Sequence, residues 1–157
     1  GAHLDADVKV PAGETCAFSF TNLGGAANWN NYVVVLRNAA LAEYVVVRSD
    51  NYGWTGDNSG PYGWKNCTAG STGAADWATW LAGMNGAKVV VYVTNNNNGT
   101  ADVLAITTGT DGKVNTQYYY GIDGVDANDL FVDFTVDSSC LKFDTAASAR
   151  KYSARRR

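Results

Sequence analysis

The sequence predicts an all-β sandwich, with a jelly roll as the architecture and one short helix in a connection. Three observations carry this expectation. Short β-branched or aromatic runs recur along the chain, among them residues 33–36, 44–47 and 89–93. Turn-forming clusters of Gly, Asn, Asp, Ser or Pro separate them, roughly every eight to twelve residues. Only residues 75–83 have helical spacing, with Trp77, Trp80, Leu81 and Met84 on one face.

In chain order, residues 8–11 make a short first strand and Pro11 to Glu14 a turn. Residues 15–20 (TCAFSF) alternate, with Cys16, Phe18 and Phe20 on one face, as a half-buried strand does. Residues 22–28 read as a loop. Residues 29–37 (WNNYVVVLR) have the continuous apolar centre of a buried strand. Residues 44–48 follow as its hairpin partner. Residues 50–64 form a loop of Asp, Asn, Ser and Gly that carries Tyr52, Trp54, Tyr62 and Trp64. After the helix, residues 88–94, 101–107 and 114–120 form a meander joined by NNNNG and GTDGK turns. Residues 130–136 and 140–143 close the fold. Residues 1–145 are expected to be one module, and 146–157 a basic tail or linker.

The charge is unevenly spread. Five of the twelve basic residues are Arg150, Lys151, Arg155, Arg156 and Arg157, which leaves seven basic against fifteen acidic groups before them, a balance of about -8. An acidic body argues against nucleic acid or an anionic membrane as partner. A short terminal Arg run is more often a solvated tail than a contact. The apolar runs are too short to span a bilayer. The opening GAHLDADVKV lacks a basic-then-apolar leader pattern, and is read as the start of a piece cut from a longer chain or of a mature domain. Three cysteines, Cys16, Cys67 and Cys140, cannot all pair within one chain. A Cys16–Cys140 bridge between terminal strands and small buried thiols both fit the sequence.

Catalytic constellations are sparse. The only histidine is His3, which leaves no triad. A phosphate loop and zinc-ligand spacing are both missing. A glycosidase needs two facing carboxylates. Glu14 and Glu43 flank turns, and Asp133 alone lies mid-strand. No cofactor is expected. Asp50, Asp57, Asp123, Asp126 and Asp129 could hold a structural calcium ion, although Asp in turns usually serves the backbone.

Aromatic binding is the sharper hypothesis. Sugar rings have apolar C–H faces that match Trp and Tyr, and their hydroxyls match amides. Trp54 and Trp64 offer platforms, with Tyr62 as a rim contact. In residues 114–120, period two places Asn115, Gln117 and Tyr119 on one face and Thr116, Tyr118 and Tyr120 on the other. The first set mixes amides with a ring, as a polar stacking surface would.

The segments Asn28-Trp29-Asn30-Asn31-Tyr32-Val33-Val34, Glu43 to Trp54 (EYVVVRSDNYGW), Asp76-Trp77 and Met84-Asn85-Gly86-Ala87 resemble carbohydrate-binding module family 65. That resemblance implies a non-catalytic β-jelly roll of bacterial plant-cell-wall hydrolases, binding β-1,4-glucan and preferring xyloglucan. It implies Trp54 as a platform on a concave sheet face, and Gln117 and Tyr119 on the neighbouring strand. It further implies a secreted, monomeric module attached to a glycoside hydrolase. The alternatives are a small β-sandwich glycosidase using Asp133, and a structural or adhesion domain whose aromatic loop meets a protein.

Overall fold

Alternation along each strand sorts side chains onto two faces, and the apolar faces of two sheets close on each other. The computed structural model describes residues 7–24, 32–49, 66–72, 77–136, 139–144 and 149–153. Its elements are β1 (Val8–Lys9), β2 (Glu14–Gly24), β3 (Val33–Arg37), β4 (Glu43–Arg48), β5 (Thr68–Thr72), α1 (Trp77–Met84), β6 (Ala87–Asn95), β7 (Ala101–Thr108), β8 (Val114–Ile122), β9 (Phe131–Thr135), β10 (Ser139–Phe143) and β11 (Ala149–Ser153). The small sheet has the order β1-β9-β3-β4. The large sheet runs β10-β2-β6-β7-β8-β5, with β11 also on β2. All pairings are antiparallel. The fold is an all-β sandwich with one short helix, as the sequence predicts. Pairing of β1 with β9 and of β2 with β10 and β11 brings strands from both ends of the chain together in each sheet.

The core lies between the sheets. Phe18, Phe20, Val89, Val91, Val93, Val103 and Tyr119 of the large sheet meet Val34, Leu36, Val45, Val47, Val132 and Phe134 of the small one. Phe134 packs edge-to-face on Phe18 at 5.2 Å and on Phe20 at 5.4 Å, between ring centroids. Trp80 and Met84 of α1 join this core and Leu81 packs against it, as their helical spacing predicts. Asn22 finishes the helix: its Nδ2 donates to Met84 O at 2.9 Å, and its carbonyl accepts from Gly86 N at 2.7 Å. Asn95 pins the opposite end, donating from Nδ2 to Val10 O and Ala127 O. The NNNNG and GTDGK turns join β6 to β7 and β7 to β8, with Asn97 and Gly112 at positive φ.

Several expectations shift. β2 continues through Gly24, into the expected loop. β5 (TAGST) was not expected as a strand; its small residues are held by pairing with Tyr118 and Tyr120 of β8. β11 lies in the expected tail and pairs with the first half of β2. The expected strand over residues 29–37 begins at Val33 among the described residues, and Trp29 lies outside them. The Cys16–Cys140 bridge is corrected. Cys140 pairs with Leu23, seven residues along β2 from Cys16, a separation of about 23 Å at the strand rise. All three cysteines are free thiols, and partial burial raises the Cys67 thiol above its ordinary value.

Tyr32, 1% exposed, packs edge-to-face on Phe20. Burial pushes its phenol up to about 12, with the Thr107 side chain opposing the shift. The folded state therefore holds this proton after the unfolded chain has lost it. Its contribution is fully present below pH 10 and drains away between pH 10 and 12, at about 1.4 kcal/mol per pH unit. Denaturant unfolding over that window is expected to show a shallower pH slope in Tyr32→Phe than in the parent chain.

Candidate ligand-binding face

β8 alternates cleanly, but the face that turns inward is the amide face. Tyr119 is 0% exposed and Gln117 1%. Gln117 Nε2 donates to Ser49 O at 2.8 Å, linking β8 to the end of β4 across the sandwich. Asn115 Nδ2 donates to Thr72 O at 2.8 Å. This corrects the expected stacking surface: Gln117 and Tyr119 are core residues, one a polar strut between sheets and the other a filler. Amides on that face satisfy buried backbone carbonyls rather than a ligand. Trp54, Trp64 and Tyr62 lie outside the described residues.

The outer face of the large sheet carries the other set. Register places Ala17, Tyr92, Leu104, Tyr118 and Gly70 in one row across β2, β6, β7, β8 and β5. Beside it runs a second row, Ser19, Val90, Ile106, Thr116 and Thr72. Tyr92, Leu104, Tyr118, Val90 and Ile106 are all half-buried. Each keeps part of its surface on the outside of the sheet. Tyr120 follows Tyr118 on the same face, and their rings stack at 5.1 Å with 24° between planes.

Gly70 explains how Tyr118 sits. A Cβ at residue 70 would lie 2.5 Å from the Tyr118 hydroxyl oxygen and 2.8 Å from Cζ. The tyrosine therefore leans across its strand partner instead of standing off the sheet, and only glycine leaves room for it. Between Ala17 and Gly70 the row is uncharged, lined by aromatic, aliphatic and hydroxyl groups; beyond Ala17 the register continues to Arg150 of β11. Such a surface can stack on apolar ring faces and exchange hydrogen bonds with hydroxyls, and it offers no acid, base or nucleophile.

The orientation of β8 was open to reasoning through its neighbours. Lys88 lies on the same face of β6 as Val90 and Tyr92, and a lysine marks the solvent side of a half-buried strand. Pairing then carries that side across to Tyr118 and Tyr120.

The carboxylate considered for glycoside hydrolysis sits elsewhere, on the outer face of the small sheet. Asp133 accepts from Phe134 N at 2.9 Å and ion-pairs with Arg37 at 3.8 Å. Glu43 is two strands and two residues away in register, about 12 Å at the backbone. Among the turn aspartates, Asp123, Asp126 and Asp129 accept from the N–H groups of Gly124, Asn128 and Ala39. Among the described residues, no group of three His, Cys, Asp or Glu side chains could hold a metal ion. Asp50 and Asp57 lie outside those residues.

Gln117 gives a direct check on the inward assignment. Gln117→Met keeps volume but leaves Ser49 O without its donor. It is expected to lower unfolding stability by about 1–3 kcal/mol in urea titrations, while leaving any ligand retention on the outer face intact. Comparison with known protein families, curated proteins and solved structures finds no match for the chain.

Proposed function

We propose that the chain is a non-catalytic carbohydrate-binding module for β-1,4-glucan chains such as xyloglucan. In this reading it is a secreted, monomeric module that holds an attached glycoside hydrolase on the plant cell wall. The observation that supports it best is the uncharged row Tyr92–Leu104–Tyr118 on the outer face of the large sheet, extended by the stacked Tyr120. Tyr92 and Tyr118 are two strands apart, about 10 Å. That spacing is comparable to two sugar units of an extended glucan, in which alternate rings present the same face. A chain running across the strands would rest one glucosyl ring near each tyrosine, with Leu104 between them. Phenol hydroxyls, Thr116 and Thr72 lie close enough to the row to meet sugar hydroxyls. Trp54, Trp64 and Tyr62 remain the platforms proposed from the sequence, and lie outside the described residues.

Affinity electrophoresis in gels containing xyloglucan, hydroxyethylcellulose or polygalacturonate tests this. The parent protein is expected to be retarded by xyloglucan and not by polygalacturonate. Tyr118→Ala, Tyr92→Ala and Trp54→Ala should each cost at least about 1 kcal/mol of affinity, read as lost retardation, with thermal unfolding still cooperative. Retardation that survives Tyr118→Ala and Tyr92→Ala removes this face from the site. A parent protein that no glycan retards removes the carbohydrate reading altogether.

A further inference from the structure

The spacing that separates the two row tyrosines continues past them. In this register the outward positions are Tyr118 on β8, Leu104 on β7, Tyr92 on β6, Ala17 on β2 and Arg150 on β11. Tyr118, Tyr92 and Arg150 therefore occupy every second strand, about 10 Å apart at each step. Between the last two stands only Ala17, 4% exposed, whose methyl puts no bulk above the sheet. An extended 1,4-linked chain that rests one ring near Tyr118 and another near Tyr92 brings its next equivalent ring to the position of residue 150.

Two more cations share this face. Lys142, Thr21 and Lys88 lie side by side across β10, β2 and β6, and both lysines are exposed. The Lys88 ammonium donates to Thr21 Oγ1 at 2.8 Å, so it leans across β2 toward Lys142 instead of away from it. Like charges gathered on a sheet destabilise it. Neither lysine makes an ion pair among the described residues. Lysine on an edge strand guards against pairing with other sheets, which accounts for Lys142. Lys88 is on an inner strand, where that role does not arise. The acids do not balance this group. Asp102 is 4% exposed, and its Oδ1 already accepts from Asn96 Nδ2 and Gly121 N. Asp144, whose N–H donates to Ser19 O, is exposed just past β10. Among the described residues, register thus sets three cations against one exposed acid here. The first 149 residues carry seven basic against fifteen acidic groups, so the local sign is opposite to that of the body.

We propose that the outer face of the large sheet takes a β-1,4-linked glycan bearing a carboxylate, as on a uronosyl branch. This rests on the carbohydrate reading and adds the charge of the ligand to it. Sugar rings rest on Tyr118 and Tyr92, and the carboxylate lies beyond Tyr92, toward residue 150 and the two lysines. Lys88 is four residues from Tyr92 along β6, about 13 Å, so it meets a branch of the glycan and not its backbone. Exposed cations each add little affinity, and salt screens them, which makes the contribution separable from stacking. Polygalacturonate has carboxylates on an α-linked chain, which does not lay alternate ring faces on the tyrosines.

Calorimetric titration with hydroxyethylcellulose and carboxymethylcellulose, which share a β-1,4-glucan backbone, tests the proposal. The parent protein is expected to bind the carboxymethyl polymer about tenfold more tightly at low salt. That preference should vanish near 1 M salt, where the screening length is about 3 Å. It should also fall in Arg150→Gln and in the double variant Lys88→Gln/Lys142→Gln, while Tyr118→Ala weakens both polymers. Hydroxyethylcellulose bound as tightly as carboxymethylcellulose overturns the proposal and leaves the carbohydrate reading standing. A preference that survives high salt or both cation variants overturns it too, as does polygalacturonate bound as tightly as carboxymethylcellulose. Failure of both cellulose derivatives to bind removes the carbohydrate reading, and this proposal with it.

Discussion

Phe134 is the wedge on which the two sheets depend. From β9 of the small sheet it meets Phe18 and Phe20 of β2, and Phe143 of β10 closes the same cluster at 5.6 Å. This contact fixes the parity of everything nearby. With Phe18 and Phe20 inward, Ala17 and Ser19 face out. Register then turns Tyr92, Leu104 and Tyr118 outward across three further strands. With Phe134 inward, Asp133 and Thr135 face out and line a groove on the small sheet. A single aromatic cluster thereby decides which residues of both sheets meet solvent, because a one-residue slip would exchange the faces.

Polar residues in the interior act as pegs rather than as sites. Gln117 reaches a carbonyl at the end of β4, Asn22 takes the Met84 carbonyl that ends α1, and Asn95 holds two loops at the other end. Each is an amide, able to satisfy stranded backbone groups without bringing a charge into the core.

Much of the fold was legible because β-branched runs and alternation are local signals. The core strands β3, β4, β6, β7, β8 and β9, and the helix, lie close to where the spacing places them. β5 was not legible, since Thr68–Thr72 has no apolar pattern and becomes a strand only through its partner β8. The inner and outer faces of β8 were read the wrong way round for a similar reason. Both faces contain tyrosine, and amides suit a buried strut as well as a ligand surface. The answer lay in Lys88, two strands away, and so in pairing rather than in β8 itself.

The pairing of β2 has a consequence in time. Its inner phenylalanines can pair along β6 once residue 95 exists, but their cover is Phe134, more than a hundred residues downstream of them. The small sheet likewise waits for β9, which joins β3 to β1. Neither sheet is complete until the chain has been extended past residue 135. Such distant pairings place closure late and make folding slow compared with helical proteins of this size. Until β9 docks, the aromatic face of β2 is open to other chains, so the step that builds the core is also the one most exposed to misassembly.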